Sequence, residues 1–259
     1  MAEQTKSGTP EVWAAGIGRK SRAQYGSDLM AEMLRELGIK YIALNPGASY
    51  RGLHDSIVNF EGENGPQMIM CTHEEIAVAI ANGYARVPGE IMATGLHDIV
   101  GLQHASMNLF NAWCDRTPIF NLGGGGPLNS TNRRSTDWVH TALIQGNMVR
   151  EFVKYDDQPN SVEAVPESFL KAYRIAMTEP KGPVYVCLDT DVQEAKISTP
   201  MIVPDARLFR PPAAPGPNPD ELNRAPQLLT GADWPLIVAG EVGKNPKADI
   251  GCQCGSCSC

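Results

Sequence analysis

Leu29, Met30, Met33, Leu34 and Leu37 recur three or four positions apart after Tyr25, and Gly38 follows them. That spacing gathers them on one face of a helix, with the glycine as its stop. The next apolar run, KYIALN, is short, ends at Pro46-Gly47 and predicts a strand. Further short runs follow at QMIMC, EIMATG, TPIFNLG and GPVYVCLD, each beside a helix-like stretch. Apolar strands alternating with helices predict an α/β fold, a doubly wound, mostly parallel sheet with helices on both faces. In open sheets of this kind, ligands bind beyond the carboxyl ends of the strands. The loops at those ends are NPGAS, the Leu96-His97-Asp98 segment and the run Gly123 to Gly126. The four glycines lack G-x-G-x-x-G spacing, so they predict a tight turn closing a buried strand and not a dinucleotide loop.

Beyond the last of these strands the pattern changes. VPDARLFRPPAAPGPNP is rich in proline and has no periodic apolar face, which predicts a linker over 198–219. PDELNRAPQLLTGADWPLIVAGEVG then reads as a helix and a buried strand, the start of a second, incomplete α/β unit over 220–248. That stretch is too short for a core of its own. The hydrophobic pattern stops at Ala248-Asp249, ahead of a cysteine-rich tail over 249–259, so a fragment or an altered reading frame is expected there. With residues 1–20 as an N-terminal tail, one full domain remains over 21–197.

The 259 residues carry 22 Lys and Arg against 29 Asp and Glu, a net charge of −7, and the charges are scattered along the chain. Neither a nucleic-acid surface nor a basic membrane patch follows from such a distribution, which points to small-molecule partners. No apolar run approaches the roughly 20 residues of a membrane span, and the N-terminus lacks the apolar core of a signal peptide, so a cytoplasmic protein is expected. Cys71, Cys114 and Cys187 stand alone in apolar segments and are expected to be buried, reduced thiols. The tail CQCGSCSC has thiolate spacings open to a soft metal but lacks two separated pairs, and no metal ligand is assigned.

THEEIAVAIANGYAR, from Thr72 to Arg86, places two carboxylates side by side at a helix start. Thr72 with Glu75 three residues on has the spacing of a capping box, in which each side chain bonds the other's backbone amide. Glu75 therefore receives a structural duty and Glu74 does not. Glu74 would project toward the rim of strand ends. On spacing alone it is a solvated first-turn carboxylate, worth about 0.3–1 kcal/mol against the helix dipole.

HEEIAVAIANGYARVPGE, His73 to Glu90, resembles the signature of the pyrimidine-binding, N-terminal domain of thiamine-diphosphate-dependent enzymes of the acetolactate synthase and pyruvate decarboxylase superfamily. In that family a glutamate stands nine residues before the glycine of G-Y-A-R, a separation that Glu74 and Gly83 share. NLFNAWCDRTPIFNLGG, with Asn111, Ala112, Asp115 and Pro118, is similar to the family's N-A-x-x-D-x-x-P-x-x-x-x-x-G. EPKGPVYVCLDTDV is like its G-P-V-x-x-x-x-P-x-D-V, although Leu188-Asp189 replaces the proline step. WPLIVAGEVG resembles the first strand of the family's central domain.

The resemblance implies thiamine diphosphate as cofactor and a 2-keto acid as substrate, decarboxylated and ligated in acetolactate-synthase fashion. It implies that Glu74 hydrogen-bonds the aminopyrimidine ring and promotes the tautomer that activates the thiazolium carbon. Losing such acid–base help costs about 10²–10⁴-fold in rate. Pro46, Gly47, Gly101 and His104 would adjoin the cofactor; Ala48, Ser49 and His97 would shape the substrate side; Thr72, Glu75 and Gly83 would be structural. The stretch LHDIVGLQH departs from the family's S-G-P-G-x-x-N, keeping Gly101, and no phenylalanine–glutamine pair can be placed in TDWVHTALIQGNMVR. His73 and His140 are further acid–base candidates. The diphosphate and its Mg²⁺ belong, in the family, to a domain bearing G-D-G, which this sequence lacks. FAD would belong to a completed central domain. The chain is thus expected to supply half of a site, inactive by itself, as a homo-oligomer or beside a separate diphosphate-domain chain. The alternative is a noncatalytic interaction protein that pairs with full-length partners or holds metal through its cysteine tail.

Overall fold

The computed structural model describes residues 17–134, 140–238 and 240. They divide into two units, one reaching Pro211 and one beginning at Pro212.

In the first unit, strands β1 (Gly18–Lys20), β2 (Tyr41–Leu44), β3 (Gln67–Met70), β4 (Met92–Leu96), β5 (Ile119–Gly125), β6 (Asp156–Asp157), β7 (Val184–Asp189) and β8 (Ile202–Pro204) follow one another along the chain. Six of them form one sheet in the order β3-β2-β4-β5-β7-β6, every neighbouring pair parallel. Helices α1 (Gly26–Glu36), α2 (Arg51–Asp55), α3 (Glu74–Arg86), α4 (Asp98–Cys114), α5 (Val165–Met177) and α6 (Thr190–Glu194) connect and cover it.

The strands are apolar on both sides because each side has its own core. Ile42, Leu44, Ala93, Phe120, Leu122, Val184 and Val186 pack with Leu29, Met33 and Phe169 from α1 and α5. Ala43, Met92, Leu96, Ile119, Tyr185 and Cys187 point the other way and pack with Ala77, Ala81, Leu102 and Leu109 from α3 and α4. Alternate residues of one strand thus serve opposite layers, the period-two rule of a pleated strand. The fold is the expected doubly wound α/β architecture.

The path from β2 to β3 runs to one side of the sheet, and the path leading to β4, β5 and β7 runs to the other. Loops leaving the adjacent ends of β2 and β4 consequently diverge, which opens a crevice at that switch point. Asn45 to Ser49 and His97-Asp98 are those loops.

The structure departs from expectation in several places. Gly123, Gly124 and Gly125 lie inside β5 and pair with β7, not in a tight turn. A side chain at Gly123 would overlap the Tyr185 hydroxyl, and one at Gly124 would overlap Ser49, so glycine is required by close approach. The stretch expected as linker is structured at its start: β8 pairs antiparallel with β1, and Phe209 packs on the first core. In the second unit, α7 (Pro219–Gly231) begins with the Asn218 side chain accepting the Asp220 amide at 2.9 Å and proline at its first position. The strand expected after it is not formed over 234–238, where Trp234 and Leu236 are exposed and no strand among the described residues pairs with them. The cysteine tail lies outside the described residues. Among the described residues no helix is long and apolar enough to cross a membrane.

Candidate active site

α3 starts differently from the predicted capping box. The cap is His73, extended at φ −159°, and its Nδ1 accepts the Glu75 amide at 3.3 Å. Thr72 lies one position outside the helix and is exposed, as is Glu75, whose carbonyl accepts a bond from Asn108 at 2.8 Å. An imidazole nitrogen two bonds beyond Cβ reaches the same orphan amide that a threonine hydroxyl serves, which lets the helix begin one residue later. Ile76 and Ile80 face outward, whereas Ala77, Val78, Ala81 and Ala85 meet the sheet. Gly83 faces open space, so packing within this chain does not require a glycine there.

Glu74 is the first residue of α3 and is only 5% exposed. Among the described residues no hydrogen bond or ion pair reaches its carboxylate. A methyl group at Gly101 on α4 would sit 2.8 Å from Glu74 Oε1 and 3.1 Å from Cδ. The carboxylate therefore lies in a notch that only a glycine leaves open. Tyr50, buried beside Gly95, donates its hydroxyl to the Asn45 carbonyl. Burial pushes the Tyr50 phenol up, and the neighbouring Glu74 charge adds to this.

Across the crevice, Ser49 Oγ and His97 Nδ1 are 2.9 Å apart. Gly47 backs the imidazole so closely that a Cβ there would come within 2.6 Å of His97 Cβ. Burial lowers the His97 pKa, the neighbouring His140 lowers it further, and Glu74 opposes both. The His97 and His140 ring centroids are 5.6 Å apart. A cavity of about 360 Å³ is lined by Ala48, Ser49, Arg51, His97, Asp98 and His140, among others. Pro46 opens instead onto a neighbouring cavity of about 290 Å³ with Gly47, Ala48 and His54. His104 is exposed, its ring edge-on to His73 at 4.5 Å, and does not line either cavity.

Behind His97, sequence reasoning missed a buried polar chain. Asp98, at φ 48°, accepts the Ile99 amide at 2.8 Å and the Gln145 side-chain amide at 2.6 Å. Gln145 also donates to the Gly124 carbonyl at 3.2 Å and accepts the Tyr185 hydroxyl at 2.9 Å. The left-handed backbone of a non-glycine residue at a strand end was the strained feature, and no sequence pattern announces it. Among the described residues no group of three His, Cys, Asp or Glu could hold a metal ion.

Residues 24–148 match the family model described as thiamine pyrophosphate enzyme, N-terminal TPP binding domain. Just under half of the chain is thus similar to this TPP-binding domain. The chain is 29% identical over 216 residues to the acetolactate synthase large subunit of Lactococcus lactis, covering 83% of this chain and 36% of that protein. The isozyme 3 large subunit of the Escherichia coli acetolactate synthase is 25% identical over 221 residues, with the same shares covered. The chain thus spans little more than a third of the length of these relatives. In fold it is similar to benzoylformate decarboxylase from Polynucleobacter necessarius, with a TM-score of 0.66 and 24% identity over 80% of this chain and 37% of that one. It is likewise similar to the thiamine diphosphate-dependent 4-hydroxybenzoylformate decarboxylase of Rhodococcus jostii, with a TM-score of 0.68 and 23% identity over 81% and 38% of the two chains.

The TPP-binding domain's donor set fits part of the cofactor. A mostly buried carboxylate in a glycine notch, with no hydrogen-bond partner among the described residues, suits a hydrogen-bond donor supplied from outside the chain.

Proposed function

We propose that this chain is the N-terminal portion of an acetolactate-synthase-like enzyme acting on 2-keto acids, and that Glu74 is its cofactor-activating carboxylate. Thiamine diphosphate, when bound, supplies a thiazolium carbon that becomes nucleophilic. Glu74 would hold the aminopyrimidine ring through a hydrogen bond to its carboxylate, where a proton could be kept or released. Gly101 leaves the carboxylate room, and the Pro46-Gly47 turn borders the same crevice. Ala48, Ser49 and His97 hold the keto acid. Mg²⁺ and the diphosphate are bound by a domain outside this chain, from a second protomer or a separate chain, and FAD belongs to a completed central domain.

The observation that carries this reading is the Glu74 carboxylate, on a residue only 5% exposed and without a hydrogen-bond partner among the described residues. A donor supplied from outside the chain would give this carboxylate a charge-assisted hydrogen bond, the stronger kind. The test is an amide correlation spectrum of the labelled chain titrated with thiamine diphosphate and Mg²⁺. Shifts centred on Glu74 and Gly101, lost in Glu74→Gln, are expected. Shifts elsewhere with none at these two residues defeat the assignment. Isothermal titration should find no low-micromolar complex, because half of the site is elsewhere.

A further inference from the structure

We infer that Ser49 is a positioning residue that holds His97 with its ring proton on Nε2, as a neutral hydrogen-bond donor directed into the crevice. One partner of the 2.9 Å contact between Ser49 Oγ and His97 Nδ1 must donate. Among the described residues the serine hydroxyl has no other hydrogen-bond partner, and Ser49 is walled by the backbone of Gly124. If Nδ1 were the donor, the hydroxyl proton would have to turn into the cavity, since no described residue offers it an acceptor. If the hydroxyl donates, both groups are satisfied, the Nδ1 lone pair is occupied, and the proton of a neutral ring must sit on Nε2.

The backbone keeps this arrangement in place. Gly47 presses on Cβ, Cγ and Nδ1 of His97, while the Gln193 side chain donates to the Ser49 carbonyl at 2.9 Å and anchors the serine's own backbone. The Nδ1 edge of the ring is thereby covered by the β2 loop, and His97 lines the 360 Å³ cavity. Among the described residues no group hydrogen-bonds Nε2. The charged and titratable groups around the ring are His140, Asp98, Arg51 and Arg134, which line the same cavity, and Glu74. Burial and His140 both disfavour the imidazolium, with Glu74 opposing.

A neutral Nε2–H suits an oxygen acceptor. Resting on the function proposed above, that acceptor is the carbonyl or carboxylate oxygen of the 2-keto acid. His97 then orients and polarises the substrate at neutral pH instead of carrying a proton to it.

Long-range proton–nitrogen correlation on the histidine-labelled full chain reads the tautomer directly, with the signal assigned by its loss in His97→Gln. At neutral pH the wild-type spectrum should show His97 with Nε2 protonated and Nδ1 bare, and Ser49→Ala should shift the ring toward a mixture of the two tautomers. An Nδ1-protonated ring or an imidazolium in the wild type overturns the inference, and so does a folded Ser49→Ala chain with an unchanged tautomer. The wild-type reading stands by itself if that variant fails to fold. Pyruvate is then added to about 10 mM, tenfold above a weak 1 mM complex. A shift confined to the Nε2 side supports the substrate role. An unmoved ring with the predicted tautomer defeats that role alone and leaves the tautomer established.

Discussion

Gly101 and Glu74 touch across two helices: a Cβ at 101 would fall 2.8 Å from Oε1 and 3.0 Å from Cγ. Replacing Gly101 by alanine should therefore move the Glu74 carboxylate. In a helix interior alanine gains about 1 kcal/mol over glycine, and overpacking costs about 1–3 kcal/mol, so the net loss of stability should stay under about 2 kcal/mol. The response to thiamine diphosphate should vanish while the fold survives. A Gly101→Ala chain with unchanged cofactor shifts would show that the notch does not aim the carboxylate.

The two neighbouring glutamates should separate in both stability and function. Glu75→Gln removes an exposed first-turn charge and should cost about 0.3–1 kcal/mol with no effect on the cofactor response. His73→Ala removes the observed cap and should cost about 0.5–2 kcal/mol, toward the low end because the bond is 3.3 Å long. Thr72→Ala should be close to neutral. Urea denaturation of the three variants orders them, and a Thr72 effect larger than that of His73 would restore the capping box.

Thiol reactivity should divide the cysteines of the first unit. Cys114 is exposed, contrary to the expectation from its apolar surroundings, because α4 turns that end of the helix outward. Cys187 is buried, and burial pushes its thiol up to about 12, while burial raises Cys71 as well. Brief iodoacetamide treatment of the folded chain at mildly alkaline pH, followed by peptide mapping, should label Cys114 and spare the other two.

Glu32 should make the fold acid-sensitive. It is buried in α1 and accepts bonds from Arg19 at 2.9 Å and from Ser21, beside β1. Burial opposes its ionisation, yet the bonds from Ser21 and Arg19 and the Arg19 charge together hold the carboxyl below its ordinary value. A lowered folded-state pKa means stability that is present above the unfolded carboxyl's range and lost as pH falls through the folded value. Glu32→Gln should cost about 2 kcal/mol at neutral pH, the scale of a charge-assisted bond. That cost should shrink below about pH 4, where the carboxyl of the unfolded chain protonates. A penalty independent of pH would locate the effect in packing.

The parallel α/β order was readable because doubly covered strands must be apolar throughout and their helices carry a single apolar stripe. Glu74 was separable from Glu75 only through a motif. Spacing assigned both to a helix start, and the capping partner it suggested was off by one residue. The glycine run misled for a related reason: a sequence records that side chains are missing, not which neighbour occupies the space. Gln145 and Tyr185 left no signal, since each acquires its role from a partner far along the chain, as when Tyr185 bonds Gln145.

Local pattern by itself determined β2, β3, β4, β5 and β7, the alternating helices and the layered class, because hydrophobic periodicity is a property of neighbours along the chain. Which strand ends adjoin, which carboxylate lies in a glycine notch, and which serine meets which histidine were decided by tertiary structure alone. Those relations join residues such as Ser49 and His97, or Glu74 and Gly101, that meet only when the sheet's order places β2 beside β4.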